Sequence, residues 1–268
     1  MVLCGVRRPT IGGGVADGAV VMGESMRAFD TSSIRRDCFT CQSRDRSEWC
    51  ALNDEELRLL DNAKVVREYR PGEVVFHQGD PCRGIHCFET GMVGIRKIDA
   101  DGNSILLGLA YPGDTLGYRS FLVGEDHGAS AEALKPSTIC FVDRPTVRTL
   151  LDHNPALGLQ FLQTVARDLG AAEERILQSA TLSVRARFAH LLLVLKDRYA
   201  ISGKDGTFAL ELPLARQDLA AMIGIRPETM SRAIKQLEED GVAYFSGRSV
   251  QVPDVKRLLR EIEPESYL

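Results

Sequence analysis

Between Arg216 and Leu237 the chain shows two short helical patterns about a tight turn at Gly224, and this spacing commits the stretch to a helix-turn-helix. Leu219, Ala220 and Ile223 form the inward face of the first helix. Pro227 has the fixed φ favoured at the first position of the second helix. Met230, Ile234 and Leu237 follow at steps of four and three, one apolar face. The opposite face carries Glu228, Ser231 and Arg232 at i, i+3 and i+4, so three polar side chains point outward together. Each suits a base edge in the major groove: Arg forks onto guanine O6 and N7, Glu accepts from cytosine N4, and Ser serves either. An ordinary exposed amphipathic helix carries polar residues at the same spacing, so the rest of the chain has to decide.

A length of 268 residues allows two domains, each with its own core. No apolar run approaches the ~20 residues that span a bilayer. The N-terminus lacks a basic segment followed by an apolar one, so no export signal is expected and the cytoplasm is the expected compartment. The net charge of −4 argues against polycation-like binding to nucleic acid. Locally the sign reverses. Between Arg216 and Lys235 four basic residues (Arg216, Arg226, Arg232, Lys235) stand against two acidic ones (Asp218, Glu228). No phosphate-cradling glycine loop, activated nucleophile or paired-carboxylate pattern is visible, so the chain is not expected to be an enzyme.

The seven cysteines are odd in number, and a reducing compartment argues against a disulfide framework. Cys38-x-x-Cys41-x8-Cys50 gathers three thiols within thirteen residues. A closed Cys4 site needs a fourth, whether it holds an iron–sulfur cluster or structural zinc. Arg44, Asp45, Arg46 and Glu48 make the intervening loop very polar. Cys4 lies in a Gly-rich leader over 1–33, expected to be disordered, with Met22 and Met26 as alternative starts. Cys87 alternates with His86 and Phe88 on an expected strand and is read as core packing, while Cys82 beside Arg83 is a turn cysteine without a ligand partner. The five histidines show no metal-type spacing.

From Leu57 to Asp143 short β-branched runs alternate with turns such as Pro71-Gly72, Gly79-Asp80, Asp101-Gly102 and Pro112-Gly113-Asp114, the pattern of a sandwich or barrel. After Pro145 the period becomes helical. Leu162, Val165, Leu169, Ala172 and Ile176 alternate steps of three and four, an a/d seam. A helix packed on its own domain gives the same pattern, but a two-fold dimer seam fits paired recognition helices better. A helix is expected from Val184 to Tyr199. Beyond the helix-turn-helix, Val242–Phe245 and Ser249–Val252 read as a hairpin wing with Arg248 at its tip, placed for a phosphate.

The order of these parts, with Pro227-Glu-Thr-Met-Ser-Arg232, resembles the CRP/FNR family of bacterial transcription regulators over about residues 50–262. Pro112-Gly-Asp-Thr-Leu-Gly117 and Ala131 to Cys140 also look like that family. The resemblance implies an α+β chain: the leader over 1–33, a cysteine cluster with a jelly-roll β-roll like that of cyclic-nucleotide-binding domains over 34–143, a long dimerisation helix over 144–181, and a winged helix-turn-helix over 182–268. Glu228, Ser231 and Arg232 match the base-reading residues of the FNR branch. This implies double-stranded DNA with inverted TTGAT-like half-sites, a homodimer, and RNA polymerase as partner.

Cyclic-nucleotide-binding members carry a Gly-Glu pair after the Gly-Asp turn, and an Arg before a Ser or Thr further on. Here Tyr118 follows Gly117, and His127-Gly-Ala-Ser130 has no arginine, so no group pairs with a cyclic phosphate and cAMP is not expected. The resemblance supplies Cys140 as fourth ligand. With Cys38, Cys41 and Cys50 it would hold an oxygen- or redox-labile 4Fe–4S cluster controlling DNA binding. Eight residues separate Cys41 from Cys50, more than family members commonly show. A haem-based gas sensor, kept open by His86 beside Cys87, and a zinc-stabilised regulator are the alternatives on the same scaffold.

Overall fold

The computed structural model describes residues 37–202 and 206–262. The expected leader over 1–33, with Cys4, lies outside them. Two 3-10 turns, Arg44–Arg46 and Glu48–Ala51, lead to helix α1 (Asp54–Ala63). Asn53 starts α1 reciprocally: its side chain accepts from the Glu56 N–H, and the Glu56 carboxylate accepts from the Asn53 N–H.

The roll follows as β1 (Val65–Tyr69), β2 (Val74–Phe76), β3 (Gly84–Thr90), β4 (Val93–Ile98), β5 (Ser104–Ala110), β6 (Thr115–Leu116), the short helix α2 (Tyr118–Val123), β7 (Ser130–Ala133) and β8 (Ser137–Asp143). The strands form two four-stranded antiparallel sheets, ordered β1-β8-β3-β6 and β2-β7-β4-β5. Between them pack Phe88, Val93, Ala110, Leu116, Ala131 and Ile139. Gly91 shows why the roll needs glycine turns. Its φ is +103°, and a Cβ there would stand 2.4 Å from the Pro136 carbonyl oxygen. The outer face of the first sheet is also covered, since Ile85 and Val142 pack with Trp49, Leu57, Val147 and Phe161.

The single helix expected over 144–181 is instead two, α3 (Arg144–His153) and α4 (Pro155–Thr181). Pro155 cannot donate to the preceding turn and would clash with it, so the chain restarts there. The Asn154 side chain accepts from the Leu157 N–H as the new cap. Helix α5 (Val184–Tyr199) has the expected bounds, with Ser183 capping the Ala186 N–H.

The remainder is β9 (Ala200–Ser202), β10 (Phe208–Glu211), α6 (Arg216–Met222), α7 (Pro227–Glu239), β11 (Tyr244–Ser246), β12 (Ser249–Val252) and α8 (Val255–Arg260). The wing is therefore a four-stranded sheet, β11-β12-β10-β9, rather than a lone hairpin. Its first strand begins at Tyr244, not Val242, because the N–H groups of Val242 and Ala243 bond back to the Leu237 carbonyl and close α7. The core of this half includes Phe188, Leu192, Leu219, Met230, Leu237, Val250 and Leu258. Met92 and Leu106 of the roll enter the same cluster. Arg96 of β4 pairs with both Glu132 of β7 and Asp218 of α6, fastening the β4–β5 hairpin to the helix-turn-helix. Among the described residues no helix is long and apolar enough to cross a membrane.

Candidate functional site

The exposed face of α7 follows from its buried one. Met230, Ala233, Ile234 and Leu237 are buried, which leaves Glu228, Ser231 and Arg232 in solvent. Gly224, at φ +65°, makes the turn between α6 and α7, and Pro227 opens α7 with no side-chain cap. Pro227 has no N–H to satisfy, and the N–H groups of Thr229 and Met230 close the first turn on the Arg226 carbonyl at 3.0 and 3.1 Å. The Ser231 hydroxyl donates to the Pro227 carbonyl at 3.0 Å. Arg216 is exposed at the first position of α6. The wing turn is Gly247–Arg248, between paired Ser246 and Ser249, and holds Arg248 exposed at the tip. Asp218 is paired with Arg96, so one of the two acidic charges near this surface is already compensated. Arg187 of α5 donates to the Ile223 carbonyl at 2.9 Å, holding the end of α6 against α5. No sequence period announces that contact.

The second constellation lies on the outer face of the roll. Cys87 of β3 and Cys140 of β8 are direct cross-strand partners. On β3 the side chains of His86 and Phe88 go to the roll interior, as their contacts with Phe76 and the inner cluster show. Cys87 takes the opposite face and packs against the outer cluster. It is half-buried there, packed as expected against a core cluster, but on the outer face of the sheet and opposite Cys140. Cys38, Cys41, Cys87 and Cys140 line one pocket with Lys64 and Trp49. The Lys64 ammonium donates to the Cys38 sulfur at 3.1 Å and pairs with Asp61, whose carboxylate also accepts the Cys38 N–H at 2.8 Å. Burial pushes the Cys38 thiol up to about 11, opposed by Lys64, and the Cys140 thiol up to about 12, with the Glu89 carboxylate adding to the rise. Cys82 is buried and its thiol bonds the Gly84 carbonyl at 3.3 Å, a packed turn residue.

Cys50 sits in the second 3-10 turn and is not among the residues lining the pocket. Its two predecessors are fixed elsewhere. Trp49 is 2% exposed and meets Phe161 of α4 edge-to-face at 5.8 Å. Glu48 is buried, accepting from Thr164 of α4 at 2.6 Å and from Thr115 of β6 at 2.5 Å. Sequence reasoning missed both anchors, because their partners lie far along the chain. As they stand, no three described His, Cys, Asp or Glu side chains surround a single point at ion-ligating distance. An iron–sulfur cluster, with one thiolate on each iron, needs its ligands spread around a larger body. The spread of thiols around this pocket, with a buried lysine facing one of them, fits an anionic group of that kind.

Inside the roll, a Cβ on Gly117 would come within 3.0 Å of the His127 ring, which stacks on Phe76 at 3.9 Å. His86 packs with Phe76 and Phe141, and burial lowers it to about 4, with repulsion from His127 and Arg67 in the same direction. Tyr118, which follows Gly117, is buried with its hydroxyl on Asp168 of α4.

On α4, Leu162, Leu169 and Ile176 are 62%, 59% and 68% exposed and recur every seven residues. Leu159 and Leu177 extend the exposed apolar stripe. Val165 behaves differently from the expected seam, packing half-buried against its own domain beside the Trp49 cluster, and Ala172 is half-buried.

Comparison with known proteins agrees with this geometry. Residues 66–154 match the cyclic nucleotide-binding domain model, and residues 186–261 match the Crp-like helix-turn-helix domain model. The transcriptional activator protein FnrL of Cereibacter sphaeroides is 29% identical over 246 residues, covering 90% of this chain and 98% of that protein. An anaerobic regulatory protein of Pasteurella multocida is 25% identical over 225 residues, covering 82% and 81%. The solved structure of FixK2 from Bradyrhizobium japonicum superposes with a TM-score of 0.65 at 26% identity, over 76% of this chain and 99% of that one. The chain belongs to the CRP/FNR family, in its FNR branch, and is a DNA-binding transcription regulator rather than an enzyme.

Proposed function

We propose that the protein acts as a homodimer whose binding to inverted TTGAT-like half-sites is governed by an oxygen- or redox-labile 4Fe–4S cluster in the cysteine pocket. The observation that carries this reading is the pocket shared by Cys38, Cys41 and Cys140, whose N-terminal wall is anchored on α4 by Trp49 and Glu48. Cys38, Cys41 and Cys140 would hold the group, with Cys50 as fourth ligand by family resemblance. When bound, such a cluster supplies an oxygen-sensitive cross-link between segments otherwise joined by packing and a few hydrogen bonds. Cys38 and Cys41 would then tie the N-terminal turns to β8. Trp49 and Glu48 pass the position of those turns to α4. Helix α4 presents Leu162, Leu169 and Ile176 to its mate, with Val165 and Ala172 on the flank. Pairing of α4 sets the two α7 helices about 34 Å apart, one turn of DNA. RNA polymerase as partner and the cytoplasm as compartment follow from the family. Cyclic AMP has no place in this reading, since Tyr118 is turned to α4 and His127 fills the space at Gly117.

Anaerobically purified protein tests the reading. Broad absorption near 400 nm, with about four irons and four sulfides per protomer, is the expected result. A sharp Soret band would mean haem, and stoichiometric zinc without visible absorption would mean a structural metal; either overturns the proposal. Trp49 is the chain's single tryptophan and lines the pocket, so loading should quench the intrinsic emission. Emission unchanged on loading would place the cluster elsewhere.

The DNA surface makes its own prediction. Arg232→Ala should cost about 1–3 kcal/mol on the specific site and flatten discrimination at one guanine. Arg248→Ala should weaken all sequences alike and lower the salt slope by about one. Equal weakening of every sequence by Arg232→Ala in a binding titration would mean that α7 docks otherwise.

A further inference from the structure

We propose that Cys87, and not Cys50, supplies the fourth thiolate of the metal site. The inference rests on the cluster reading above and changes its ligand set. Cys87 and Cys140 stand directly opposite on adjacent antiparallel strands, and opposed residues project to the same side of a sheet. That side is the pocket that Cys38 and Cys41 close from the N-terminal turns. Four thiols thus border one space, two from a rigid sheet and two from the segment packed over it. Lys64, its side chain 6% exposed, points its ammonium at Cys38 and supplies positive charge where four thiolates would gather.

Cys50 is not among the residues that line this space, and its neighbours are fixed on other elements. Trp49 is sunk between the roll and α4. Both carboxylate oxygens of Glu48 are engaged by threonine hydroxyls on two separate elements. The Leu52 N–H bonds the Trp49 carbonyl at 3.2 Å and closes the turn around Cys50. Turning this segment to aim Cys50 at the pocket would disturb the packing of Trp49 on Phe161 and the two hydrogen bonds of Glu48. The eight residues between Cys41 and Cys50 then have a structural meaning. They carry the Glu48–Trp49 anchor onto α4, and ligation passes to a cysteine that the sheet already holds in place.

The test uses the full chain, loaded anaerobically with iron and sulfide. Cys50→Ala should retain the wild-type iron content and absorption. Cys87→Ala should lose at least half of the iron, or stop at a three-iron form with its own paramagnetic signature, while its circular dichroism matches that of the wild type. Full loading of Cys87→Ala would overturn the assignment. Loss of loading in Cys50→Ala would overturn it as well. A second measurement needs no substitution: alkylation of the wild type, read by mass spectrometry with and without the cluster. Cys50 should react at the same rate in both states, and protection of Cys50 on loading alone would defeat the proposal. Wild-type protein that takes up no iron would instead remove the cluster reading itself.

Discussion

Leu169→Glu should leave the protein monomeric in anaerobic sedimentation at concentrations where the loaded wild type is a dimer. Leu169 lies midway along α4, 59% exposed, with Leu162 and Ile176 one heptad away on either side. Burying a leucine contributes about 1.5–3 kcal/mol, and in a two-fold interface each residue counts twice. The substitution removes that contribution and puts two carboxylates against each other in an apolar seam. An uncompensated buried charge alone costs about 3–5 kcal/mol. Each 1.4 kcal/mol is tenfold in Kd, so the dimer should weaken by at least about a thousandfold. Val165→Glu supplies the contrast. Val165 packs against its own domain, so that variant should lower the melting temperature of the protomer before it affects association. A Leu169→Glu protein that still sediments as a dimer would mean that the mates meet on another face.

The helix-turn-helix was readable in the sequence because its determinants are local. Gly224 makes the turn, Pro227 opens the helix, and Met230, Ile234 and Leu237 mark the buried stripe within a few residues of each other. The bounds of α5 were readable for the same reason, with Ser183 as cap. The break between α3 and α4 also had a local signal, Asn154-Pro155, but the continuous helical period on both sides overrode it. Strands β9 and β10 pair with each other but are only three and four residues long, and the second partner of β10, β12, lies some forty residues on, so no local run announced them.

The cysteine pocket was half legible. Close spacing marked Cys38 and Cys41, but period two along β3 fixes only that Cys87 opposes His86 and Phe88, not which of the two faces inward. The alternation of Cys87 with His86 and Phe88 was legible, but its cross-strand partner Cys140 lies 53 residues on and no local pattern pairs the two. The Glu48 anchor was beyond any window, since its partners are 67 and 116 residues away. In the polar loop Asp45 and Arg46 are exposed, but its two ends are held inside. Glu48 is 7% exposed, and even Ser43 in the same segment donates to the Glu89 carbonyl of β3.

Trp49→Ala should destabilise the protomer by about 3–5 kcal/mol in denaturant unfolding, the usual cost of deleting a buried aromatic ring. The ring is 2% exposed, touches Phe161 of α4 and belongs to the cluster that joins α1, α3, α4 and the outer face of the roll. Trp49→Phe should lose about 1 kcal/mol or less. It keeps the edge-to-face contact and deletes an indole N–H that has no hydrogen-bond partner among the described residues. Glu48→Ala should fall between them, at about 1–3 kcal/mol, because it takes the acceptor from the Thr115 and Thr164 hydroxyl protons while Arg167 still donates to the Thr164 oxygen. The same three variants separate stability from signalling. If the turn passes the state of the pocket to α4, iron-loaded Trp49→Ala should dimerise no more tightly than unloaded protein, while Trp49→Phe retains the difference. Unaltered unfolding of Trp49→Ala would show that the N-terminal turns are not docked on α4. Normal iron-dependent dimerisation of a destabilised Trp49→Ala would keep the packing account and remove this residue from the path between pocket and seam.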